Sequence, residues 1–310
     1  MPTNGHFDLG SLVTESINEA SLNLDGLSTE ELLRCINAED KTVPSAVEKA
    51  IPSIAVAVDT IAEKMAKENG RLIYLGAGTS GRLGLLDAAE CPVTFGVSPQ
   101  TVIGILAGGS TALSQANESV EDNEAAGVND LRALGITSAD SVIGLTASGR
   151  TPYVISGLNY AQEAIGAFTA MISCNPPQFT RFKGGLAICP VVGPEVLTGS
   201  TRMKAGTAQK LVLNMISTAV FVKLNKCYGN LMVDVQAWAC NKLRDRARRI
   251  LRQICDCDET EAMATLEESN YELKPAILMR LTGMSFAAAT AVLEKANGNL
   301  RKAKDEAVSS

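Results

Sequence analysis

The segment Arg71–Gly81 combines residue types that can bind an anion. A short apolar run leads into Gly-x-Gly-x-x-Gly, with Thr79 and Ser80 between the last two glycines. Glycines allow the backbone to approach a ligand closely, and the N–H groups at the start of a helix attract phosphate. We therefore predict a phosphate-binding turn that includes Gly78, between a strand and a helix. A tight turn without a ligand is the alternative interpretation.

The three glycines also have the spacing of a dinucleotide-binding fingerprint. That site needs an acidic residue at the end of the next strand, where it binds the ribose hydroxyls. In this chain the next apolar run ends in residues 107–110, with the sequence AGGS and no acid. The pattern therefore favours a phosphate site over a nicotinamide site.

A second segment, residues 146–151, repeats this chemistry. Its sequence TASGRT follows another apolar run and precedes Pro152, which suits the first turn of a helix. Ser148 and Thr151 supply hydroxyls, and Arg150 supplies a positive charge. Two such turns on one sheet edge would suit a small phosphorylated ligand. An ordinary helix cap and a solvated arginine are the alternatives.

The composition argues against several classes of protein. The 310-residue chain has a formal net charge of −6 and no apolar run that could span a membrane, so we expect neither a nucleic-acid surface nor a membrane span. The first residues lack the pattern of a signal peptide, and eight cysteines then suggest a reducing, cytoplasmic environment. No cysteine or histidine spacing predicts a metal site. Because His6 is the only histidine, acid–base chemistry must come from other side chains.

Apolar runs alternate with helical patterns through the middle of the chain. This alternation predicts an α/β fold, with a parallel sheet flanked by helices. Ligands bind outside the carboxyl ends of such strands, so the important loops should be 76–81, 107–110, 146–151 and 173–177. The predicted strands are residues 71–75, 101–106, 140–145, 167–172 and 185–189. The predicted helices are residues 44–69, 80–89, 111–125, 152–164 and 201–224.

The same patterns divide the chain into three expected domains. Residues 1–45 form an N-terminal helical segment, and residues 46–255 form the sheet domain with its flanking helices. Residues 256–310 contain three short helical patterns. This small three-helix appendage carries no obvious chemistry, so an interaction or dimerisation role suits it.

Several long blocks together resemble the N-acetylmuramic acid 6-phosphate etherase family. They read RLIYLGAGTSGRLGLLDAAECPVTFG, SGRTPYVISGL, GPEVLTGSTRMKAGTAQKLVLNM and NLMVDVQA. The resemblance implies a sugar-isomerase (SIS) domain with a flavodoxin-like sandwich, and a UBA-like C-terminal domain. It implies a cytoplasmic homodimer, without metal or organic cofactor, that acts in amino-sugar catabolism and cell-wall recycling. The implied reaction removes D-lactate from the C3 ether and leaves N-acetylglucosamine 6-phosphate.

The resemblance also implies roles for individual residues. Glu90, in Ala-Ala-Glu-Cys, matches the acid that protonates the departing lactate and then activates water. Glu121, in Ser-Val-Glu-Asp, matches the residue that handles the C2 proton. Without the resemblance, each would be a charge on a solvated helix. The expected phosphate-binding residues are Gly78, Thr79, Ser80, Ser148, Arg150 and Thr151.

Two other functions remain open from the sequence. The glucokinase regulatory protein resembles the same family and binds sugar phosphates without turnover, so a non-catalytic sensor is one alternative. An aldose–ketose isomerase is another, since it shares C2 deprotonation. The chain also departs from the family pattern at Pro92-Val93, at Ser110 and at residues 238–243. The last departure could alter substrate affinity or turnover.

Overall fold

The structure is a computed structural model that describes residues 9–115 and 118–308. In it the chain divides into two units. The first contains the chain up to Ala89 together with Gln100–Ser217, and the second contains Glu90–Pro99 together with the chain from Thr218 onward. The domain boundaries expected from the sequence, after residues 45 and 255, stay a prediction. His6 lies outside the described residues.

A five-stranded parallel sheet forms the centre of the first unit. Its strands are β1 (Leu72–Gly76), β2 (Val102–Leu106), β3 (Ser141–Leu145), β4 (Phe168–Ile172) and β5 (Leu186–Ile188). Each lies within one residue of its predicted bounds, and their order in the sheet is β2-β1-β3-β4-β5. The fold class predicted from the sequence is therefore confirmed. Because β1 lies between β2 and β3, this order has its switch point where β1 and β3 end.

Seven helices precede, connect or follow these strands in the described residues. They are α1 (Thr29–Asp40), α2 (Val43–Glu48), α3 (Ile51–Glu68), α4 (Gly78–Phe95), α5 (Glu124–Ala133), α6 (Pro152–Asn159) and α7 (Lys204–Lys223). Helix α1 begins at a cap formed by residues close together in the sequence. The Ser28 side chain accepts a hydrogen bond from the Glu31 N–H, and the Glu31 carboxylate accepts one from the Ser28 N–H. This reciprocal capping box satisfies two backbone donors that the helix leaves unpaired.

Side-chain alternation along β1 explains how the sheet is buried on both faces. Ile73 and Leu75 belong to a buried cluster that includes Tyr153 of α6. Tyr74 points to the opposite face, where its hydroxyl donates to the Asp87 carboxylate of α4 over 3.0 Å. Helix α4 packs closely there, because a methyl group at Gly84 would lie 3.0 Å from Tyr74 Cβ.

Two of the predicted helices differ from the structure. The pattern over residues 44–69 forms two helices, α2 and α3, and Pro52 lies in the first turn of α3, where its missing N–H costs nothing. The predicted helix at 111–125 is wrong in its described part. Residues there form 3-10 turns, Gly109–Leu113 and Glu118–Val120, and residues 116–117 lie outside the described chain. Helix α5 begins only at Glu124, because the Asn123 side chain caps it by accepting the Ala126 N–H.

The second unit is helical around a core of its own. Its further helices are α8 (Asn241–Cys255), α9 (Glu259–Glu268), α10 (Leu273–Thr282), α11 (Phe286–Lys295) and α12 (Leu300–Val308). Buried residues of all five helices form one cluster, which includes Leu251, Leu266, Ile277, Leu293 and Leu300. Within residues 256–308 the structure has four helices, α9 to α12, one more than the three that the sequence predicts.

The departure from the family pattern at residues 238–243 lies just before and at the start of α8. Trp238 is 63% exposed, and Cys240, the residue before the helix, makes no side-chain cap. Among the described residues, no single helix has the length and apolar composition to cross a membrane. Only α10 and α11 together meet that test, and the pair is bent by 109°.

A buried carboxylate joins the starts of β1 and β3. The Asp140 carboxylate accepts hydrogen bonds from Arg71 Nε and Nη2, at 3.0 and 2.7 Å, and from the Arg71 backbone N–H at 2.9 Å. It also accepts the Thr137 N–H at 2.8 Å. Burial alone would raise the pKa of Asp140, but these donors, with Arg71 first among them, hold it below its ordinary value. The ionised form therefore stabilises the native state.

We expect Asp140→Asn to lower the free energy of unfolding at pH 7 by about 3 kcal/mol, because Arg71 loses its buried partner. The Asp140 contribution is complete above the unfolded pKa of about 3.9 and is lost as the pH falls through the lower folded pKa. Urea unfolding of both proteins from pH 7 to pH 3 measures this. The difference should shrink in acid, whereas Asp25→Asn, at an exposed position, should match wild type throughout. A difference that is constant with pH would contradict the assignment.

Candidate functional site

A polar cavity of about 350 Å³ lies at the carboxyl ends of β1 and β3. It is the crevice that the strand order predicts. Six residues proposed from the sequence line it, from three separate parts of the chain: Gly78, Thr79, Ser80, Glu121, Ser148 and Thr151. Four further polar residues line it that are not among the catalytic and phosphate-binding residues expected from the sequence: Glu15, Arg82, Thr146 and Thr201.

The first turn presents the start of helix α4 to the cavity. The Gly81 N–H bonds to the Ala77 carbonyl over 2.9 Å, which closes the first helical turn. The N–H groups of residues 78–80 then have no partner within the helix. Gly78 has a φ of +52°, a conformation that favours glycine. A helix start with free donors and two hydroxyl side chains is suited to binding an anion.

The second turn is organised by the buried hydroxyl of Thr146. This hydroxyl lies 3.2 Å from Ser148 Oγ and 2.8 Å from Thr151 Oγ1, and it accepts the Gly149 N–H at 3.2 Å. Thr146 is only 2% exposed, so its hydroxyl has little contact with solvent. Its main role is to orient the hydroxyls of Ser148 and Thr151. Helix α6 follows directly, with Pro152 in its first turn as predicted.

The carboxylate of Glu121 lies beside the first turn. A Cβ atom placed on Gly78 would come within 2.8 Å of Glu121 Oε1, so the absent side chain at Gly78 makes room for this carboxylate. The backbone of Glu121 is fixed from the other side, because its carbonyl accepts the Tyr153 N–H of α6 over 3.0 Å. Glu121 thus lies in a turn before α5, whereas the sequence pattern placed it on a helix.

Two of the proposed residues do not line the cavity. Arg150 Nη1 donates to the Phe179 carbonyl over 2.9 Å, so it braces a neighbouring loop. Glu90 is exposed on α4 and is not among the residues that line the cavity. Arg82 does line the cavity, but its guanidinium donates to the Ala112 carbonyl at 2.8 and 3.0 Å. It therefore holds the turn after β2 in place.

The N-terminal segment reaches the cavity through the buried side chain of Asn175. Asn175 Oδ1 accepts the Val13 N–H at 2.8 Å, and Asn175 Nδ2 donates to Thr14 Oγ1 at 3.0 Å. The same amide donates to the carbonyls of Ala147 and Ser148 in the second turn, both at 3.3 Å. The sequence marked loop 173–177 as important for ligands, but it gave no signal that this loop would anchor residues 13–15.

The start of helix α7 is fixed by a second buried acid. The Glu195 carboxylate accepts the N–H groups of Lys204 and Ala205 at 2.8 and 2.9 Å. Burial raises the pKa of Glu195, and these two donors partly offset that effect. The buried Lys204 ammonium in turn donates to the Glu39 carboxylate over 2.6 Å, which lowers the pKa of Glu39. These contacts fix the position of Thr201, three residues before α7.

Within the described ranges, no group of three or more histidine, cysteine, aspartate or glutamate residues is arranged to hold a metal ion. The chemistry that the cavity does offer is anion binding by backbone N–H and hydroxyl donors, next to carboxylates that can exchange protons.

We expect Thr146→Val to weaken the binding of inorganic phosphate by about tenfold, or about 1.4 kcal/mol. The reason is that Ser148 and Thr151 lose the hydroxyl that orients them. Isothermal titration calorimetry measures the affinity. Thr169→Val is the matched control, because Thr169 is equally buried but lies on β4 outside the cavity lining. Unchanged phosphate affinity in Thr146→Val would show that the second turn does not bind the anion.

Residues 53–162 match the family model of the glucokinase regulatory protein N-terminal SIS domain. The chain is 53% identical over 298 residues to N-acetylmuramic acid 6-phosphate etherase 2 of Vibrio cholerae, covering 96% of each chain. It is 55% identical over 295 residues to N-acetylmuramic acid 6-phosphate etherase of Yersinia pestis, covering 95% of this chain and 99% of the relative.

Among solved structures, the C-terminal domain of glucosamine-fructose-6-phosphate aminotransferase from Francisella tularensis superposes with a TM-score of 0.41. The identity is 14%, over 81% of this chain and 68% of that one. The two etherases match nearly the whole length of the chain at more than half identity. The protein therefore belongs to the N-acetylmuramic acid 6-phosphate etherase family.

Proposed function

We propose that this protein is an N-acetylmuramic acid 6-phosphate etherase. It converts N-acetylmuramic acid 6-phosphate and water to N-acetylglucosamine 6-phosphate and D-lactate, in amino-sugar catabolism and cell-wall recycling. The observation that carries the proposal is the Glu121 carboxylate beside an anion-binding turn, inside one cavity with a second hydroxyl-rich turn. Membership of the etherase family supports the choice of substrate.

The 6-phosphate group binds at the two turns. The N–H groups that begin α4 and the hydroxyls of Thr79, Ser80, Ser148 and Thr151 donate to its oxygens. None of these donors carries a full charge, so the anion is held by many directed hydrogen bonds. The cavity of about 350 Å³ accommodates a monosaccharide phosphate at the low end of typical ligand pockets. The sugar ring then lies towards Glu121.

The reaction is an elimination followed by addition of water. In the open-chain sugar, the aldehyde at C1 makes the C2 proton removable. A base takes that proton, the C3–O bond breaks, and lactate leaves as its ether oxygen receives a proton. Water then adds at C3 of the unsaturated aldehyde, and C2 regains a proton. No electrons are gained or lost overall, so proton transfers alone are required.

Glu121 is proposed as the base for the C2 proton. Its carboxylate is near the turn that holds the phosphate, and the Tyr153 N–H fixes its backbone. A base held in this way reaches only those sugar carbons that the bound phosphate brings to it. General acid–base contacts of this type contribute about 10²–10⁴-fold in rate.

Glu90 is proposed as the acid that protonates lactate and then as the base that activates water. In a single chain Glu90 is exposed and lies ten residues beyond the first turn on α4. Glu90 is also not among the residues that line the cavity. We therefore propose that the enzyme is a cytoplasmic homodimer in which Glu90 serves the cavity of the other subunit.

Glu90→Gln should release lactate about 10²–10⁴-fold more slowly than wild type while it still binds N-acetylglucosamine 6-phosphate. A coupled lactate assay with N-acetylmuramic acid 6-phosphate measures the rate. Glu48→Gln, at another exposed glutamate, is the control and should turn over normally. If the wild-type protein binds the sugar phosphate but releases no lactate, the etherase proposal fails. A ketose product would instead identify an isomerase.

A mixed dimer tests whether the site is shared. Glu90→Gln and Glu121→Gln chains carrying different affinity tags are co-expressed, and the heterodimer is purified through both tags. One of its two sites then contains both wild-type glutamates, so it should recover about half of wild-type activity, as two-fold symmetry requires. Each variant homodimer is the control and should be nearly inactive. A heterodimer no more active than these would place both glutamates in the same chain's site.

A further inference from the structure

Opening of the sugar ring is a separate chemical step that precedes the proposed elimination. In water the substrate is a closed pyranose, whose C1 carries a hydroxyl and whose C2 proton is not acidic. Opening breaks the C1–O5 bond and moves a proton from O1 to O5. Neither role proposed above, at C2 or at the C3 ether, performs this transfer.

The described cavity lining offers few groups that can exchange this proton. Its carboxylates belong to Glu15 and Glu121. The guanidinium of Arg82 is already bound to the Ala112 carbonyl, and a guanidinium has no lone pair to accept a proton. The lining hydroxyls are donors for the phosphate and are weak acids. With Glu121 assigned to C2, Glu15 is the remaining candidate in the lining.

Glu15 is held at the cavity by buried contacts immediately before it. It ends the 3-10 turn Val13–Glu15, whose first two residues bind the buried amide of Asn175. Thr14 is itself almost fully buried. Since Asn175 also binds the carbonyls of the second turn, the backbone of Glu15 keeps a fixed distance from the phosphate-binding hydroxyls.

A second set of contacts fixes the chain just after Glu15. Asn18 Nδ2 donates to the Glu39 carboxylate at 2.8 Å and to the Pro194 carbonyl at 3.1 Å. The Ser21 hydroxyl donates to the Val196 carbonyl at 2.8 Å. Glu15 itself is exposed to the cavity, and its Oε2 lies 3.3 Å from the position of a Cβ on Gly199. Anchored backbone on both sides and a solvent-accessible carboxylate are what a proton-transfer group requires.

We propose that Glu15 is the catalytic residue that opens the pyranose ring of the substrate. This inference rests on the proposed function and names an additional step at the same site. The Glu15 carboxylate takes the O1 proton as the C1–O5 bond breaks and the C1 aldehyde forms. It then gives that proton to O5, so the carboxylate is regenerated and no atom is gained or lost. Ring closure of the product runs through the same transfers in reverse.

Anomer exchange of N-acetylglucosamine 6-phosphate tests this step without any lactate chemistry. Exchange between its α and β anomers requires ring opening, and NMR exchange spectroscopy measures its rate at equilibrium. We expect wild-type enzyme to accelerate the exchange, and Glu15→Gln to lose at least about 10²-fold of that acceleration. Glu19→Gln removes a charge from the same segment at an exposed position outside the cavity lining. It should behave as wild type.

Lactate release with substrate deuterated at C2 gives a second readout. In Glu15→Gln, kcat should fall and the C2 deuterium isotope effect should approach 1, because ring opening then limits the rate. Undiminished anomer exchange in this variant overturns the inference, and so does a change in KM with kcat intact, since Glu15 would then only bind. If Glu15→Gln loses anomer exchange but the wild-type enzyme releases no lactate, the assignment of ring opening to Glu15 stands. Only the proposed etherase reaction would then be wrong.

Discussion

The position of β1 between β2 and β3 is the constraint on which the site depends. Because all strands are parallel, the turns after β1 and β3 leave the sheet side by side at the same edge. Each turn leads into a helix, α4 or α6. The start of α4 carries unpaired N–H donors and a partial positive charge, and the turn before α6 carries the hydroxyls of Ser148 and Thr151. N–H and hydroxyl donors therefore converge on one small cavity, which attracts an anion before any charged side chain contributes.

Buried polar side chains fix the loops at both ends of the strands. Asn175 joins the N-terminal segment to the second turn, Glu195 caps the start of α7, and Asp140 joins the starts of β1 and β3 at the opposite edge. A buried amide or carboxylate is costly unless its hydrogen bonds are made. Each of these three groups makes several, so each one specifies a single arrangement of the loops that it joins. The positions of the hydroxyls and carboxylates in the cavity are fixed as a result.

The strands were predictable because each is a short apolar run that must be buried on both faces, and this pattern is visible locally. The start of α1 was predictable for a similar reason, since Ser28 and Glu31 form their cap within four residues. The region before α5 was not. Its spacing of acids and small residues resembles a helix, but Asn123 starts the helix late, and Glu121 lies instead in a turn held by a backbone bond to Tyr153. The contact of Arg150 could not be predicted either, because charge alone does not indicate which carbonyl a guanidinium will bind.

The sequence by itself determined the chemistry at each strand end: glycines with freedom of φ, hydroxyls, and helices that begin there. These properties depend on neighbours a few residues apart, and so the two turns that line the cavity could be predicted from them. Only the tertiary structure decided which distant groups join those turns. Val13 and Asn175 are 162 residues apart, and no local pattern encodes their contact, because it exists only once the sheet has brought its loops to one edge. For that reason the place of Glu15 in the cavity was decided by the tertiary structure, whereas the places of Thr79 and Ser80 could be predicted from the sequence.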